Sequence, residues 1–121
     1  MDTTDAIVTL AALGQATRLE AFRLLVAREP RGLPAGALAQ LVVVPQNTLS
    51  AHLNVLAHAK LVVRERRSRE IIYRANLDRF REVALFLLKD CCGGRPEVCG
   101  ALIADLAPLR SRKNPRVIAC S

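Results

Sequence analysis

The chain has no tryptophan, and aromatic residues make up only 3% of it. A core without large rings must be built from Leu, Val, Ile and Ala, a composition that suits packed helices. No apolar run approaches the roughly 20 residues needed to span a bilayer. The opening Met1-Asp2-Thr3-Thr4-Asp5 is acidic where an export signal would be basic, so a cytoplasmic protein is expected. There is no Cys-x-x-Cys pair and no glycine-rich phosphate loop, and the only histidines are His52 and His58, remote in sequence from the cysteines. A thiol enzyme needs an activated nucleophile beside a base or an anion-binding loop, so catalysis is not expected.

What is present is apolar and basic. Hydrophobic residues reach 51%, too many for a disordered chain. The 121 residues are the length of a single domain. With 18 basic against 11 acidic side chains the net charge is +7, which points to a polyanionic partner such as nucleic acid. An anionic membrane is the competing surface. It is disfavoured because the arginines cluster in a hairpin pattern and not along an amphipathic helix.

The patterning predicts a first helix over Thr4 to Leu13. Thr17-Arg18-Leu19-Glu20 reads as a capping box for a second, whose apolar stripe is Leu19, Phe22, Leu25 and Val26 and which runs to about Arg28. Pro30 and Gly32 break it. A short third helix covers Pro34 to Val42. The fourth, Gln46 to about Ala59, sets Leu49, Leu53 and Leu56 on one face and Gln46, Asn47, Ser50 and Asn54 on the other. Two β-prone runs, Leu61 to Arg66 and Glu70 to Ala75, flank Arg67-Ser68-Arg69 as a hairpin. A fifth helix spans Asp78 to Asp90. Its stretch Val83 to Leu88 is apolar on every face and so calls for burial on two sides, the second most simply by another copy of the chain. A sixth helix is expected from Pro96, with Cys99, Leu102, Ile103 and Leu106 on its apolar stripe.

Helix, short helix, turn, helix and basic hairpin is the layout of a winged helix-turn-helix, mostly α with a β-hairpin wing. A recognition helix buries one face and offers hydrogen-bonding side chains to base edges in the major groove. Gln46, Asn47, Thr48, Ser50 and Asn54 are the candidates for that role. His52 is either a phosphate donor or a packed histidine that fixes the helix. Arg64, Arg66, Arg67, Arg69 and Arg74 are the candidate phosphate contacts of the wing. Each pattern has a plainer reading, a solvated helix face and a soluble sheet edge.

Two stretches resemble the ArsR/SmtB family of metalloregulatory repressors. Leu13-Gly14-Gln15-Ala16-Thr17-Arg18-Leu19 is similar to the family's LGDPTRL, and Pro45 to Leu56 (PQNTLSAHLNVL) to its SQSTVSHHLKVL. Ala59-Lys60-Leu61-Val62 resembles the AGLV that leads into the wing, although the wing tip has Ser68 in place of the usual glycine. The resemblance covers roughly residues 6 to 90. It implies a homodimer paired through the first and fifth helices, with Val83, Phe86 and Leu87 at the interface. It also implies a repressor of double-stranded operator DNA that leaves when an inducer binds. A two-fold dimer would read an inverted repeat with half-sites about 10 base pairs apart, or a multiple of that.

Four cysteines without an export signal suggest thiols that act as ligands or sensors. Cys91, Cys92 and Cys99 lie in a C-terminal extension of about residues 91 to 121. Three soft thiolates with no histidine or carboxylate favour a soft ion. Arsenite takes three sulfurs in a pyramid, whereas tetrahedral zinc wants a fourth ligand, which Cys120 could supply. A free cysteine can also be simply a small buried hydrophobe. The cysteine pair before the recognition helix of one ArsR-type sensor is absent, since Leu38 to Val42 stand there. So is the carboxylate and histidine set of zinc sensors on the fifth helix. The resemblance is to arsenite-responsive members with a Cys-Cys pair and a third cysteine just after that helix. This makes arsenite, and then antimonite, the expected inducer. Oxidant or reactive-sulfur sensing by the same thiols is the main alternative, and a cadmium, lead or zinc sensor a lesser one.

Overall fold

The computed structural model describes residues 1–91, with side chains to residue 88. The chain divides into two compact units, Met1–Val83 and Ala84–Ser121; of the second, the described part is 84–91. The expected sixth helix, Cys92, Cys99 and Cys120 lie outside the described residues.

Among the described residues eight elements follow in order: α1 (Thr3–Leu13), α2 (Ala16–Ala27), β1 (Leu33–Pro34), α3 (Ala35–Val42), α4 (Gln46–His58), β2 (Val62–Arg67), β3 (Glu70–Ala75) and α5 (Leu77–Cys91). Asp2 starts α1 by accepting the Asp5 amide at 2.8 Å, and Asp5 adds a negative charge to the first turn. The start of α2 differs from the expected capping box. The cap is Gln15, whose Oε1 accepts the Arg18 N–H at 2.8 Å, and Thr17 already lies inside the helix. The buried face of α2 is also rotated from expectation. Ala21, Phe22 and Leu25 are buried, while Leu19 and Val26 are 45% and 38% exposed. At about 100° per residue, Leu19 stands roughly 110° from the centre of that face, too far round to reach the core.

Leu49, Leu53 and Leu56 of α4 are fully buried, as their spacing predicts, and pack with Leu25 of α2 and Leu38 of α3 in one core. Helix α4 ends with the Leu61 N–H donating to the Leu56 carbonyl at 2.9 Å and Lys60 at φ 66. That is a left-handed cap of the kind usually given to glycine. Asn76 then ties the two ends of the hairpin together. Its backbone N–H donates to the Leu61 carbonyl at 2.8 Å and its side-chain amide to the Lys60 carbonyl at 2.9 Å.

The hairpin belongs to a three-stranded antiparallel sheet in the order β1-β3-β2. Strand β1 was not expected from the sequence. It is only two residues long, contains a proline and pairs Leu33 with Tyr73 and Pro34 with Ile72. Gly32 makes this pairing possible at φ 75. A Cβ there would stand 2.5 Å from the Tyr73 carbonyl oxygen and 2.7 Å from side-chain atoms of Ile72 and Arg74.

No helix among the described residues is long and apolar enough to cross a membrane.

Candidate nucleic-acid interface

With its leucines turned inward, α4 leaves Gln46, Asn47, Thr48 and Asn54 exposed and Ser50 half-buried. The polar groups are not all free. Asn47 Oδ1 accepts the Thr48 N–H at 2.9 Å, an arrangement that caps the first turn, where Pro45 has no side-chain donor or acceptor to offer. His52 is half-buried, with Nδ1 3.4 Å from Arg18 Nη1. An arginine can only donate, so Nδ1 accepts there and Nε2 is the nitrogen left to carry hydrogen.

Arg18, which the sequence shows only within the capping pattern and the LGDPTRL-like stretch, joins three helices. Its Nε donates to the Ala12 carbonyl at 2.6 Å and its Nη2 to that of Ala11 at 3.5 Å, so one guanidinium holds the end of α1 beside α4.

The wing arginines divide by strand parity. Residues directly opposite in an antiparallel pair share a face. One face carries Val63, Glu65 and Arg67 opposite Arg74, Ile72 and Glu70. The other carries Arg64 and Arg66 opposite Tyr73 and Ile71, with no carboxylate.

The first face is charge-compensated. Arg74 grips Glu29 with both Nε and Nη2, each at 3.0 Å, and donates Nη1 to Glu65 Oε2 at 2.6 Å. Glu65 Oε1 in turn accepts from Arg67 Nη2 at 2.7 Å and Nε at 3.0 Å. Arg67 Nη1 reaches the Arg31 carbonyl at 2.8 Å. The hydrogen bonds from Arg74, then from Arg67, hold the Glu65 carboxyl below the usual carboxylate range. Arg74 is thus engaged in fixing the hairpin on the loop after α2, and Arg67 is largely engaged in the same way. The second face turns toward α4. Arg64 Nη2 donates to Asn54 Oδ1 at 3.3 Å, and Arg66 is exposed, as is Arg69 in the turn. Ser68 makes that turn at φ 56 without the help of glycine.

A polar helix face beside an uncompensated basic strand face, on a hairpin braced from behind, is the geometry that lets a helix enter a groove while a wing meets phosphate. The fold is a winged helix-turn-helix. Residues 13–65 match the family model of a helix-turn-helix domain. No curated protein matches. Among solved structures, an ArsR-like transcriptional regulator from Rhodococcus sp. RHA1 superposes with a TM-score of 0.67 at 27% identity, over 86% of this chain and 92% of that one. The homodimeric winged helix-turn-helix DNA-binding domain Mb0332 of Mycobacterium bovis, a possible ArsR-family regulator, gives 0.59 at 26%, over 70% and 77%. A possible transcriptional regulator for arsenical resistance gives 0.57 at 26%, over 64% and 79%. The described residues thus share their winged helix-turn-helix fold with ArsR-type transcriptional regulators.

The expected interface residues separate. Val83 is 1% exposed and so belongs to the interior of its own chain, where it is not available to a partner. Phe86 is half-buried and Leu87 exposed. Of the expected ion ligands, Cys91 is the last residue of α5. Among the described residues no group of three or more His, Cys, Asp or Glu could hold a metal ion.

Proposed function

We propose that this chain is a homodimeric, cytoplasmic transcriptional repressor. In this reading α4 enters the major groove of an operator containing an inverted repeat, while Arg66 and Arg69 contact phosphate. The observation that carries it is the convergence of the polar face of α4 with the carboxylate-free face of the wing, joined at Asn54 and Arg64. The Rhodococcus and Mycobacterium likenesses support the same reading. Pairing between copies is supported by exposed apolar side chains on the two helices concerned: Ile7, Val8 and Leu10 on α1, and Leu77, Phe80, Leu85 and Leu87 on α5.

The inducer in this reading is arsenite, or antimonite, held by the thiolates of Cys91, Cys92 and Cys99. The chemistry of the donor set supports it, as three soft sulfurs suit a pyramidal ion. Cys91 is the last residue of α5, so in this reading a ligand there would grip the end of the helix through which the copies pair. For release to follow, the ion must bind the DNA-free form more tightly than the DNA-bound form.

The test is fluorescence anisotropy of reduced protein on its own promoter DNA, titrated with arsenite and repeated with each of the three cysteines changed to Ser. Release by arsenite in the wild type, blunted in all three variants, is the expected result. Tight binding that arsenite leaves unchanged would overturn arsenite as the signal while keeping the repressor. Loss of binding with oxidant alone, restored by a thiol reductant, would transfer the signal to redox chemistry.

A further inference from the structure

Arg64 reads at first as one more phosphate contact, but its surroundings are those of a side chain held in place. It lies directly across from Tyr73 in the β2–β3 register, with its guanidinium carbon 6.0 Å from the ring centroid. This is within the reach of a cation–π contact. From that position Nη2 donates to Asn54 Oδ1 at 3.3 Å, across from the wing to the exposed side of α4.

We propose that Arg64 is a positioning residue for Asn54, fixing which end of that amide is presented to the major groove. The proposal rests on the DNA-binding reading above. The amide's orientation follows from counting donors and acceptors. A guanidinium has five N–H donors and no acceptor, so an asparagine beside it can turn only its oxygen toward it. The opposite flip would set the amide N–H₂ against another donor. With the oxygen directed at the wing, the NH₂ of Asn54 is the end left for an outside partner. Asn54 lies one and two turns beyond Ser50 and Asn47 on α4, so its amide belongs to the row expected to face base edges.

Held this way, Asn54 is an oriented donor. It suits a base edge offering an acceptor, such as guanine O6 or N7, thymine O4 or adenine N7. It is poorly placed for the two-bond pairing with adenine, which needs its oxygen as well. Tyr73 contributes by limiting the freedom of the Arg64 head group, so the wing both braces and orients the recognition helix.

The experiment begins with selection of binding sequences from a random duplex pool by the wild-type protein, and continues with Arg64→Ala, Arg64→Lys, Asn54→Ala and the Arg64→Ala/Asn54→Ala double variant. Both side chains are exposed, so unchanged circular dichroism and melting temperature are expected and serve as the folding control. Affinity for the selected duplex should fall about tenfold in each alanine variant, the scale of one good base contact. The double variant should lose no more than about the same tenfold. A second selection with Arg64→Ala should lose preference at the same base pair as Asn54→Ala. Arg64→Lys, whose ammonium also offers only donors, should keep part of that preference along with the salt dependence of the wild type. Losses that multiply in the double variant would overturn the proposal. So would an unchanged base preference in Arg64→Ala, with a salt slope lower by about 0.9, which marks a simple phosphate contact. Failure of the wild type to select or bind any duplex would overturn the DNA reading itself, and this proposal with it.

Discussion

Replacing Val43 by glycine should make the protein more stable, although it removes a side chain. Val43 follows α3 at φ 58, ψ 54, close to the centre of the left-handed region, and is 84% exposed. The conformation is imposed by the turn. The Val44 N–H returns to the Ala39 carbonyl at 3.2 Å, and the chain must reverse within three residues to begin α4. An L-residue held there costs roughly 1–2 kcal/mol, with a β-branched one toward the upper end. Against that relief stand about 0.2–0.5 kcal/mol for the small buried part of the side chain. Glycine's greater freedom in the unfolded chain opposes it by a further ~0.5–1 kcal/mol. The balance favours Val43→Gly by roughly 0.5–1 kcal/mol, or a rise of about 2–5 °C in melting temperature for a chain of this size. Val43→Ala is the control, since it loses the same burial and retains most of the strain. The three proteins should be compared by thermal and urea unfolding at equal protomer concentration, because dimerisation would make the midpoint depend on concentration. A glycine variant no more stable than the alanine variant would refute the argument from strain.

The opposite result is expected at Gly32, where Gly32→Ala should destabilise by roughly 2–4 kcal/mol, seen in urea unfolding, because the new Cβ meets backbone and the φ is unsuited to it. In DNA titrations at several salt concentrations, Arg66→Ala should lower the salt slope by about 0.9. Arg74→Ala should leave the slope unchanged and lower the melting temperature instead, since it leaves Glu29 and Glu65 without their shared partner. The Glu65 carboxyl is held below its usual 4.5, so its contribution is fully present above that pH and is lost as pH falls through the lower folded-state value. The stability difference between wild type and Glu65→Gln should therefore be constant from pH 7 to about 5 and shrink below 4.5; a difference unchanged at pH 3 would count against the network.

The long elements were legible because each repeats a strong period. Leu49, Leu53 and Leu56 predict the inward face of α4, and the helix found, Gln46–His58, ends within one residue of expectation. The parts that were missed have no period to show. Strand β1 is two residues long and begins beside a glycine, so its pairing is a tertiary fact about the close approach of Gly32 to Tyr73. Thr17 and Glu20 carry the familiar spacing of a capping box, yet they do not start α2. Gln15, a less common capping residue, is the one whose side chain reaches the Arg18 amide. At Lys60 and Ser68 the backbone adopts left-handed turns that the residue types do not advertise.

The candidate site was legible in its residue types more than in their roles. Composition counts Arg64, Arg66, Arg67, Arg69 and Arg74 alike, yet strand parity separates them once the register Arg67 opposite Glu70 is known. Odd-numbered positions of β2 and even-numbered positions of β3 form the braced face, which leaves Arg64 and Arg66 for the side of α4. That separation was available in principle from a two-residue turn at Ser68-Arg69, because a period of two fixes the face of every residue in both strands. What no pattern supplies is the partner. Glu29 lies 45 residues from Arg74, and Asn54 ten from Arg64, so only the fold shows which arginine is a brace and which faces the recognition helix. The net charge of +7 is therefore a poor count of phosphate contacts. The better measure is the number of arginines on the α4 side with no carboxylate beside them.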